Sequence, residues 1–314
     1  MNNSTRNLKM KKLLIASTAL VATAGMAAAD ITVTGHAAAG YHSGLTNVKA
    51  GSTVKEGIFS NVGVDFTMAG ATDNGISFTA ALNIDAGTEI DQGDYEFDGA
   101  DGGTAGLGAV TMSGAFGTLT FDDNGIDNLY NGDYKSHDVS YATTVNGVAI
   151  TVAADADESI TGSTAVYSDA SASASLSSGG MAYTLTASNH ETLGMATKLA
   201  VAYTVNDMLS VNANTKKDSG AAKQVASVGA TIVANGLTIT VASDNVQPSS
   251  GWDLDLAYSL GGVALTYGTD EKSSHDVTAS YALGGGATFK AGMKNYGSTS
   301  TKTDGMYAGV SFAF

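Results

Sequence analysis

The sequence predicts an all-β protein, a transmembrane up-and-down antiparallel β-barrel of eighteen strands, with sixteen strands as the alternative. Two observations carry this prediction. Apolar and polar residues alternate with a period of two in segments along the whole chain after residue 29, which is typical of strands with one apolar and one polar face. The connections between these segments are short and long in turn.

The N-terminal segment has the three parts of a secretory signal peptide. A basic stretch that includes Arg6 and Lys12 precedes an apolar run at 13–26, which ends in three alanines. A membrane anchor is the alternative, but the run is shorter than the ~20 residues that a spanning helix needs. We therefore expect residues 1–29 to be the signal peptide and residues 30–314 to form a single barrel domain.

The charge balance after residue 29 excludes several functions. Removing residues 1–29 takes away one Arg, three Lys and no acid, so the formal charge falls from −15 to −19 and no Arg remains. Nucleic-acid binding needs Lys and Arg to displace phosphate counterions, and docking on anionic lipid needs them as well. The chain has no Cys, which excludes disulfides, thiol catalysis and thiolate metal sites.

Individual segments show the strand pattern. In VGVDFTM at 62–68 the apolar residues occupy the even positions, while Gly63, Asp65 and Thr67 form the other face. The same alternation occurs at 76–84, 237–241 and 252–258. Each segment therefore predicts a strand with one face suited to hydrocarbon and one suited to water.

The connections give the strand count. Short turns are expected at 70–75, 114–117, 146–147, 177–180, 206–207, 234–236, 261–262 and 284–286. Longer polar loops are expected at 42–57, 86–105, 123–137, 155–164, 189–196, 217–222, 244–251, 269–275 and 295–305. Eight turns and nine loops imply eighteen strands in a simple meander. The Asn146-Gly147 pair is the strongest hairpin signal among them.

The apolar faces are expected to point outward, into the membrane. A soluble sandwich would bury them in a core and would not sort its connections into short at one end and long at the other. Because hydrocarbon leaves no partner for unpaired backbone groups, the sheet must close into a barrel. The aromatic residues that share the apolar phase are Phe66, Phe78, Tyr141, Tyr203, Trp252, Tyr258, Tyr267, Tyr281, Phe289, Phe312 and Phe314.

A barrel of sixteen to eighteen strands is too wide for side chains to fill, so a water-filled lumen is expected. The polar phase of the strands would line this lumen. Its expected members include Thr67, Thr79, Asn83, Asp85, Thr120, Thr184, Thr186, Asn212, Asn214, Thr238, Asp253, Asp255 and Thr266.

The chain resembles the Gram-negative general diffusion porins over residues 30–314. The similarity is carried by FTMAGATDNG at 66–75, MSGAFG at 112–117, LGGGA at 283–287 and the closing VSFAF at 310–314. The resemblance implies a homotrimer in the outer membrane of a Gram-negative bacterium, in contact with lipid and lipopolysaccharide, that passes small hydrophilic solutes and ions by diffusion. It also implies that Phe312 and Phe314 close the barrel and are read by the barrel assembly machinery.

The resemblance further implies that the third long loop folds into the lumen and narrows it. The acidic candidates for this constriction are Asp122, Asp123, Asp127 and Asp133. The pore-wall candidates on the inward phase are Asn61, Asp65, Asn83, Asp85, Lys198, Lys216, Lys290 and Lys294. Porins of this family oppose the acids with a row of arginines, whereas this chain has Asn61 and Gly63 at the matching positions. With a net charge of −19, the lumen is expected to prefer cations.

Two other functions remain as alternatives. A substrate-selective outer-membrane channel would need an aromatic track or a charged ladder in the lumen, and the predominance of Thr, Ser and Asn there favours a nonspecific channel. A barrel enzyme would need His42 or His137 to meet Asp123 or Asp138 at one rim. The sequence shows no catalytic motif, and we predict neither catalytic residues nor enzymatic activity.

Three further patterns are weaker. The acidic loop at 89–101 is a candidate Ca²⁺ site, although its spacing matches no calcium motif and simple solvation is the favoured interpretation; no other cofactor and no metal site are predicted. The histidines, with only His36 lying away from the loops, are interpreted as isolated surface residues. The alternating Ala and Ser at 170–175, together with Gly35, Ala37 and Ala39, predict a subunit contact.

Overall fold

A computed structural model describes residues 30–47, 52–53, 56–91, 95–132, 134, 136–156, 170–190, 194–245, 251–297 and 304–314. The predicted signal peptide lies outside the described residues. No helix within the described ranges is long and apolar enough to cross a membrane.

The described residues form eighteen barrel strands, which confirms the count obtained from the connections. The strands are β1 (Asp30–Ser43), β2 (Glu56–Ala71), β3 (Ser77–Asp91), β4 (Glu96–Gly114), β5 (Gly117–Ile126), β6 (His137–Val145), β7 (Val148–Ala154), β8 (Ala170–Ser178), β9 (Met181–His190), β10 (Gly194–Asn206), β11 (Leu209–Lys217), β12 (Val225–Ala234), β13 (Leu237–Asp244), β14 (Trp252–Leu260), β15 (Val263–Asp270), β16 (His275–Gly284), β17 (Ala287–Asn295) and β18 (Gly305–Ala313). Two-residue strands at Thr46–Asn47 and Ser52–Thr53 lie in the first loop.

The sheet is an antiparallel meander that closes on itself. Each strand pairs with its successor, and β1 pairs with β18 from His36↔Ala313 to Ser43↔Met306. At the seam, the amide of Gly35 donates to the carbonyl of Phe314 at 2.6 Å, and the amide of Phe314 donates back to Gly35 at 2.9 Å. Closure pairs both edges of every barrel strand, as a membrane requires.

The two ends of the barrel differ as the sequence predicts. All eight short turns occur where they are expected, and the nine longer connections lie at the other end. Asn146 and Gly147 both have positive φ, 52° and 82°, which is the conformation of a type I′ hairpin turn and explains the Asn-Gly pair.

One loop boundary was predicted wrongly, and seven of the nine expected loops lie partly outside the described residues. The second loop was expected over 86–105, but β3 runs to Asp91 and β4 begins at Glu96, because the two strands stay paired with each other beyond the barrel wall. The fourth loop was expected at 155–164, of which residues 157–164 lie outside the described part of the chain.

The two faces of the sheet have different chemistry. Along β14, Trp252, Leu254, Leu256 and Tyr258 share one face, and Trp252 and Tyr258 are exposed on the isolated chain, as are many other large apolar side chains of this phase. In water such a surface would be unfavourable, whereas hydrocarbon covers it without cost. The other phase is polar and faces the lumen; there, the hydroxyls of Thr79 and Thr111 on neighbouring strands hydrogen bond at 2.6 Å.

Candidate functional site

The third loop, residues 127–136 with 133 and 135 outside the described part, contacts the inner face of the barrel. Asn128 Nδ2 donates to Ser188 Oγ on β9 at 2.9 Å, and the amide of Leu129 donates to Ser171 Oγ on β8 at 3.1 Å. Ser171 and Ser188 belong to the polar phase and are buried, at 4% and 2% exposure. The loop therefore lies within the lumen, as the family resemblance implies.

The far side of this loop is held by the connection that follows β11. Tyr130 OH donates to Asp218 Oδ1 at 2.5 Å, and Lys216 Nζ lies 3.5 Å from the same oxygen. The hydroxyl of Tyr134 accepts from the amide of Ser219 at 3.3 Å. Burial, and then the hydrogen bond to Asp218, raises the pKa of the Tyr130 phenol, so the hydroxyl stays protonated and able to donate.

The base of the third loop contains two of the four predicted constriction acids. The β5–β6 pairing is interrupted between Phe121 and Ile126, and Asp122 and Asp123 lie in that interruption. Asp138 holds the backbone in place at this interruption, because its two carboxylate oxygens accept from the amides of Asn124 at 2.9 Å and of Ala156 at 2.6 Å. Of the remaining two acids, Asp127 is exposed at the start of the loop, and Asp133 lies outside the described residues.

The predicted wall residues on β2 and β3 lie side by side. Asp65 pairs in register with Asn83, and Asn61 pairs with Gly87. Asn83 Nδ2 donates to Asp85 Oδ2 at 2.7 Å. These four residues therefore form one polar patch on the inner wall.

His36 of β1 joins this patch, which the sequence analysis did not foresee. Its Nε2 lies 3.4 Å from Asp85 Oδ1, and its Nδ1 lies 3.8 Å from Asp65 Oδ2. The approach requires Gly63, because a Cβ there would lie 2.0 Å from Asp85 Oδ1 and 2.2 Å from His36 Cε1. The alternation of residues along β1 places His36 on the inward face, and this is the feature of the sequence that could have predicted the contact.

The four predicted wall lysines occupy two sectors of the barrel. Lys198 on β10 pairs in register with Lys216 on β11. Lys290 and Lys294 both lie on the inward phase of β17, where Lys294 pairs in register with Asp276 of β16.

A wall of carboxylates lies between these two sectors. We call it the acid wall; it consists of Asp244 on β13, Asp253 and Asp255 on β14, Asp270 on β15 and Asp276 on β16. Asp253 pairs in register with Asp270. A Cβ at Gly268 would lie 3.2 Å from Asp255 Oδ1 and 2.7 Å from Asp276 Oδ1, so both carboxylates lean over this glycine. The alternation pattern in the sequence predicts only Asp253 and Asp255, because the convergence of the others depends on strand register.

Two histidines differ from the sequence-based interpretation. His42 and His137 were expected to be isolated surface residues, but they are buried, with 1% and 0% exposure. His137 Nε2 lies 2.8 Å from Ser171 Oγ, beneath the third loop. Other parts of the chain cover this Ser–His pair. The contact is therefore structural, and a solute in the lumen cannot reach it. The side chain of His190 is outside the described part.

The Ca²⁺ expectation remains a prediction. Of the acids in 89–101, only Glu89 and Asp91 have described side chains. Elsewhere in the described residues, no three His, Cys, Asp or Glu side chains come together in a way that could hold a metal ion.

Comparison with known proteins agrees with this geometry. The model of the Gram-negative porin family matches residues 16–248. Two solved structures, both mutants of the Rhodopseudomonas blastica porin with three and five substitutions, are 15% and 16% identical to the chain; each alignment covers 91% of this chain and 100% of the other, with a TM-score of 0.54. No curated protein sequence matches significantly. At this identity the solved structures support the fold, and the family model spans most of the sequence, so the chain belongs to the Gram-negative porin family.

Proposed function

We propose that the barrel is a water-filled channel of the outer membrane through which small hydrophilic solutes diffuse passively, with a preference for cations. Membership of the porin family supports the channel. Eighteen strands enclose more space than their inward side chains can fill, and most of those side chains are polar.

The acid wall is the observation that carries the cation preference. Asp253 and Asp270 face each other across β14 and β15, and like charges placed directly across a strand pair repel. The strands β13–β16 contain no Lys that could neutralise them. A mobile cation in the lumen relieves this repulsion, and rings of carboxylates favour cations in channels generally.

The wall lysines oppose this preference only weakly. Lys216 is close to Asp218, and Lys294 pairs in register with Asp276. Part of their charge is thus compensated by neighbouring acids. The chain after residue 29 has no Arg, so no fixed guanidinium row faces the carboxylates.

The arrangement of the inward aromatic residues favours a nonspecific channel over a substrate-selective one. Phe59, Tyr95, Tyr130 and Tyr307 are all buried, at 6% exposure or less. They pack against one another or against loops, so within the described part of the chain these four rings do not form an open track along the lumen.

We further propose that the protein is a homotrimer in contact with outer-membrane lipid and lipopolysaccharide, and that the C-terminal aromatic strand is read by the barrel assembly machinery. The small outward residues Gly35, Ala37 and Ala39 on β1 would allow close subunit contact. A second surface of small outward residues, around Ala170 and Ala172, lines an apolar groove of about 350 Å³ on the outer face. We expect no enzymatic activity.

Planar-bilayer recording tests the proposed function. The purified protein should give stepwise openings, and in a salt gradient the reversal potential should have the sign of cation flow. Conductance that is blocked saturably by one sugar or nucleoside would favour the substrate-selective channel. A reversal potential of the sign expected for anion flow would contradict the proposed preference for cations.

A further inference from the structure

The hairpin formed by β3 and β4 leaves the barrel wall at Gly87. The pairing of β3 with β2 ends at Asn61↔Gly87, but β3 and β4 remain paired to Asp91↔Glu96. Gly87 has φ +111°, and a Cβ there would lie 2.2 Å from the carbonyl oxygen of Ser60. A glycine is therefore required where the hairpin bends. We call residues 87–91 and 95–101 the second-loop hairpin.

Tyr95 of the second-loop hairpin contacts strands far from its own. The ring of Tyr95 lies 5.8 Å from the ring of Tyr307 on β18. Its hydroxyl donates to the carbonyl of Val277 on β16 at 3.3 Å, and Lys294 Nζ on β17 lies 5.5 Å from the ring centroid, within cation–π range. The hairpin has thus crossed the inner side of β2, β1, β18 and β17.

A buried apolar cluster holds the hairpin there. Its members, each at 5% exposure or less, are Leu45, Phe59, Ile90, Tyr95 and Tyr307. In a lumen lined by polar residues, this cluster has no role unless the hairpin stays docked.

Glycines on the wall make room for the cluster. A Cβ at Gly40 would lie 2.6 Å from the ring of Phe59, and one at Gly292 would lie 2.7 Å from the ring of Tyr307. The two rings therefore lie flat against the backbone of β1 and β17. The first loop adds a parallel backbone pairing from Thr46 and Asn47 to Glu96 and Phe97.

The two inward loops cover opposite walls. The third loop contacts β8 and β9, whereas the second-loop hairpin contacts β16–β18. In a closed barrel of eighteen strands, β9 and β18 are nine strands apart in either direction, so they face each other across the lumen.

We infer that the second-loop hairpin and the third loop lie on opposite sides of one aperture at the loop end of the lumen, and that the buried Tyr95 anchors the hairpin there and so maintains the size limit for solutes. This inference rests on the proposed channel function. The strands of the acid wall, β13–β16, lie between β9 and β18 around the barrel, so the acid wall faces the same lumen as the two loops.

Substitution of Tyr95 tests the inference. Tyr95→Ala should raise the single-channel conductance and admit larger neutral solutes into liposomes. Tyr95→Phe keeps the ring and should retain the size limit of the unmodified protein. Tyr258→Ala removes an aromatic residue from the outer face and should change neither quantity. Equal conductance and size limit in all four proteins would overturn the inference.

A cross-link locates the hairpin independently of conductance. Because the chain has no Cys, Tyr95→Cys combined with Lys294→Cys introduces the only two thiols. A short bis-maleimide cross-linker should add to both thiols within one chain, and the product should have the mass of one monomer plus one cross-linker. Cross-linking between chains, or no cross-linking of a folded barrel, would overturn the inference. If the unmodified protein forms no channel but the intrachain cross-link appears, the proposed function fails and the position of the hairpin stands.

Discussion

Asp253 on β14 and Asp270 on β15 are paired in register on the inner face of the barrel. Two carboxylates in this position repel each other, and the cost of such pairs is typically a few tenths of a kcal/mol to about 1 kcal/mol. The barrel retains them on a wall that also carries Asp244, Asp255 and Asp276. Asp270 also has a structural role, because its Oδ1 accepts from the amides of Lys272 and Ser274, both at 2.9 Å. The placement of Asp253 beside it, on the face toward the solute path, is the feature that points to a role in conduction.

Neutralising this pair should therefore separate selectivity from stability. Asp253→Asn with Asp270→Asn should reduce the cation preference and leave the unfolding temperature equal or slightly higher, because the repulsion is removed. Reversal potentials in a salt gradient and thermal unfolding in detergent measure the two effects. Asp73→Asn, in an exposed short turn at the other end, is the matched control and should change neither. Unchanged selectivity in the double variant would show that the acid wall does not determine the preference for cations over anions.

The anchoring of the third loop gives a second prediction. Ser188→Ala leaves the buried amide of Asn128 without its acceptor, which should cost about 1–3 kcal/mol. The loop should become looser, and the open-channel current should become noisier. Ser177→Ala removes an exposed serine at the end of β8 and serves as control. Identical current noise in the two variants would argue against a structural role for the Asn128–Ser188 contact.

The short turn between β6 and β7 gives a third prediction. Gly147 has φ +82°, and no atom lies within 4 Å of the position that a Cβ would take there, so Gly147→Ala introduces backbone strain without a clash. The expected loss is about 1–2 kcal/mol in the free energy of unfolding. Gly132→Ala, at a loop glycine that also has open space around its Cβ position and has no positive φ, should cost less. Chemical denaturation of the folded barrel compares the two variants, and an equal loss in both would contradict the assignment of strain to Gly147.

The closing strand gives a fourth prediction. Phe314 exchanges two backbone hydrogen bonds with Gly35, and a Cβ at Gly35 would lie 2.3 Å from its ring. Deleting Phe314 removes both bonds and should slow insertion of the unfolded chain into lipid vesicles. Leu283→Ala, at another exposed apolar residue near a turn, is the control. Equal folding rates would count against a role of Phe314 in closure and assembly.

The sequence predicts the barrel well because its signals are local. The alternation around Trp252 and Tyr258 identifies a strand and its outward face, and the Asn146-Gly147 pair identifies a turn. Summed over the chain, such signals give eighteen strands, and the structure has them. None of them depends on which strand pairs with which in space.

The lumen was harder to predict because its contacts are nonlocal. Asp270 and Asp276 join the acid wall only through strand register, and the buried His137 contacts Ser171, which the third loop also contacts. The second-loop hairpin has an acidic, loop-like sequence, yet it docks through Tyr95 on Val277, which lies 182 positions further along the chain. No period or motif in the sequence encodes these contacts.

Ion selectivity in planar bilayers is the sharpest test of a cation-preferring channel. With the purified protein in a neutral-lipid bilayer and a potassium chloride gradient, we predict stepwise openings and a reversal potential of the sign set by potassium flow. A reversal potential of the sign set by chloride flow would rule out the cation preference, and a folded barrel that inserts but carries no current would rule out the channel.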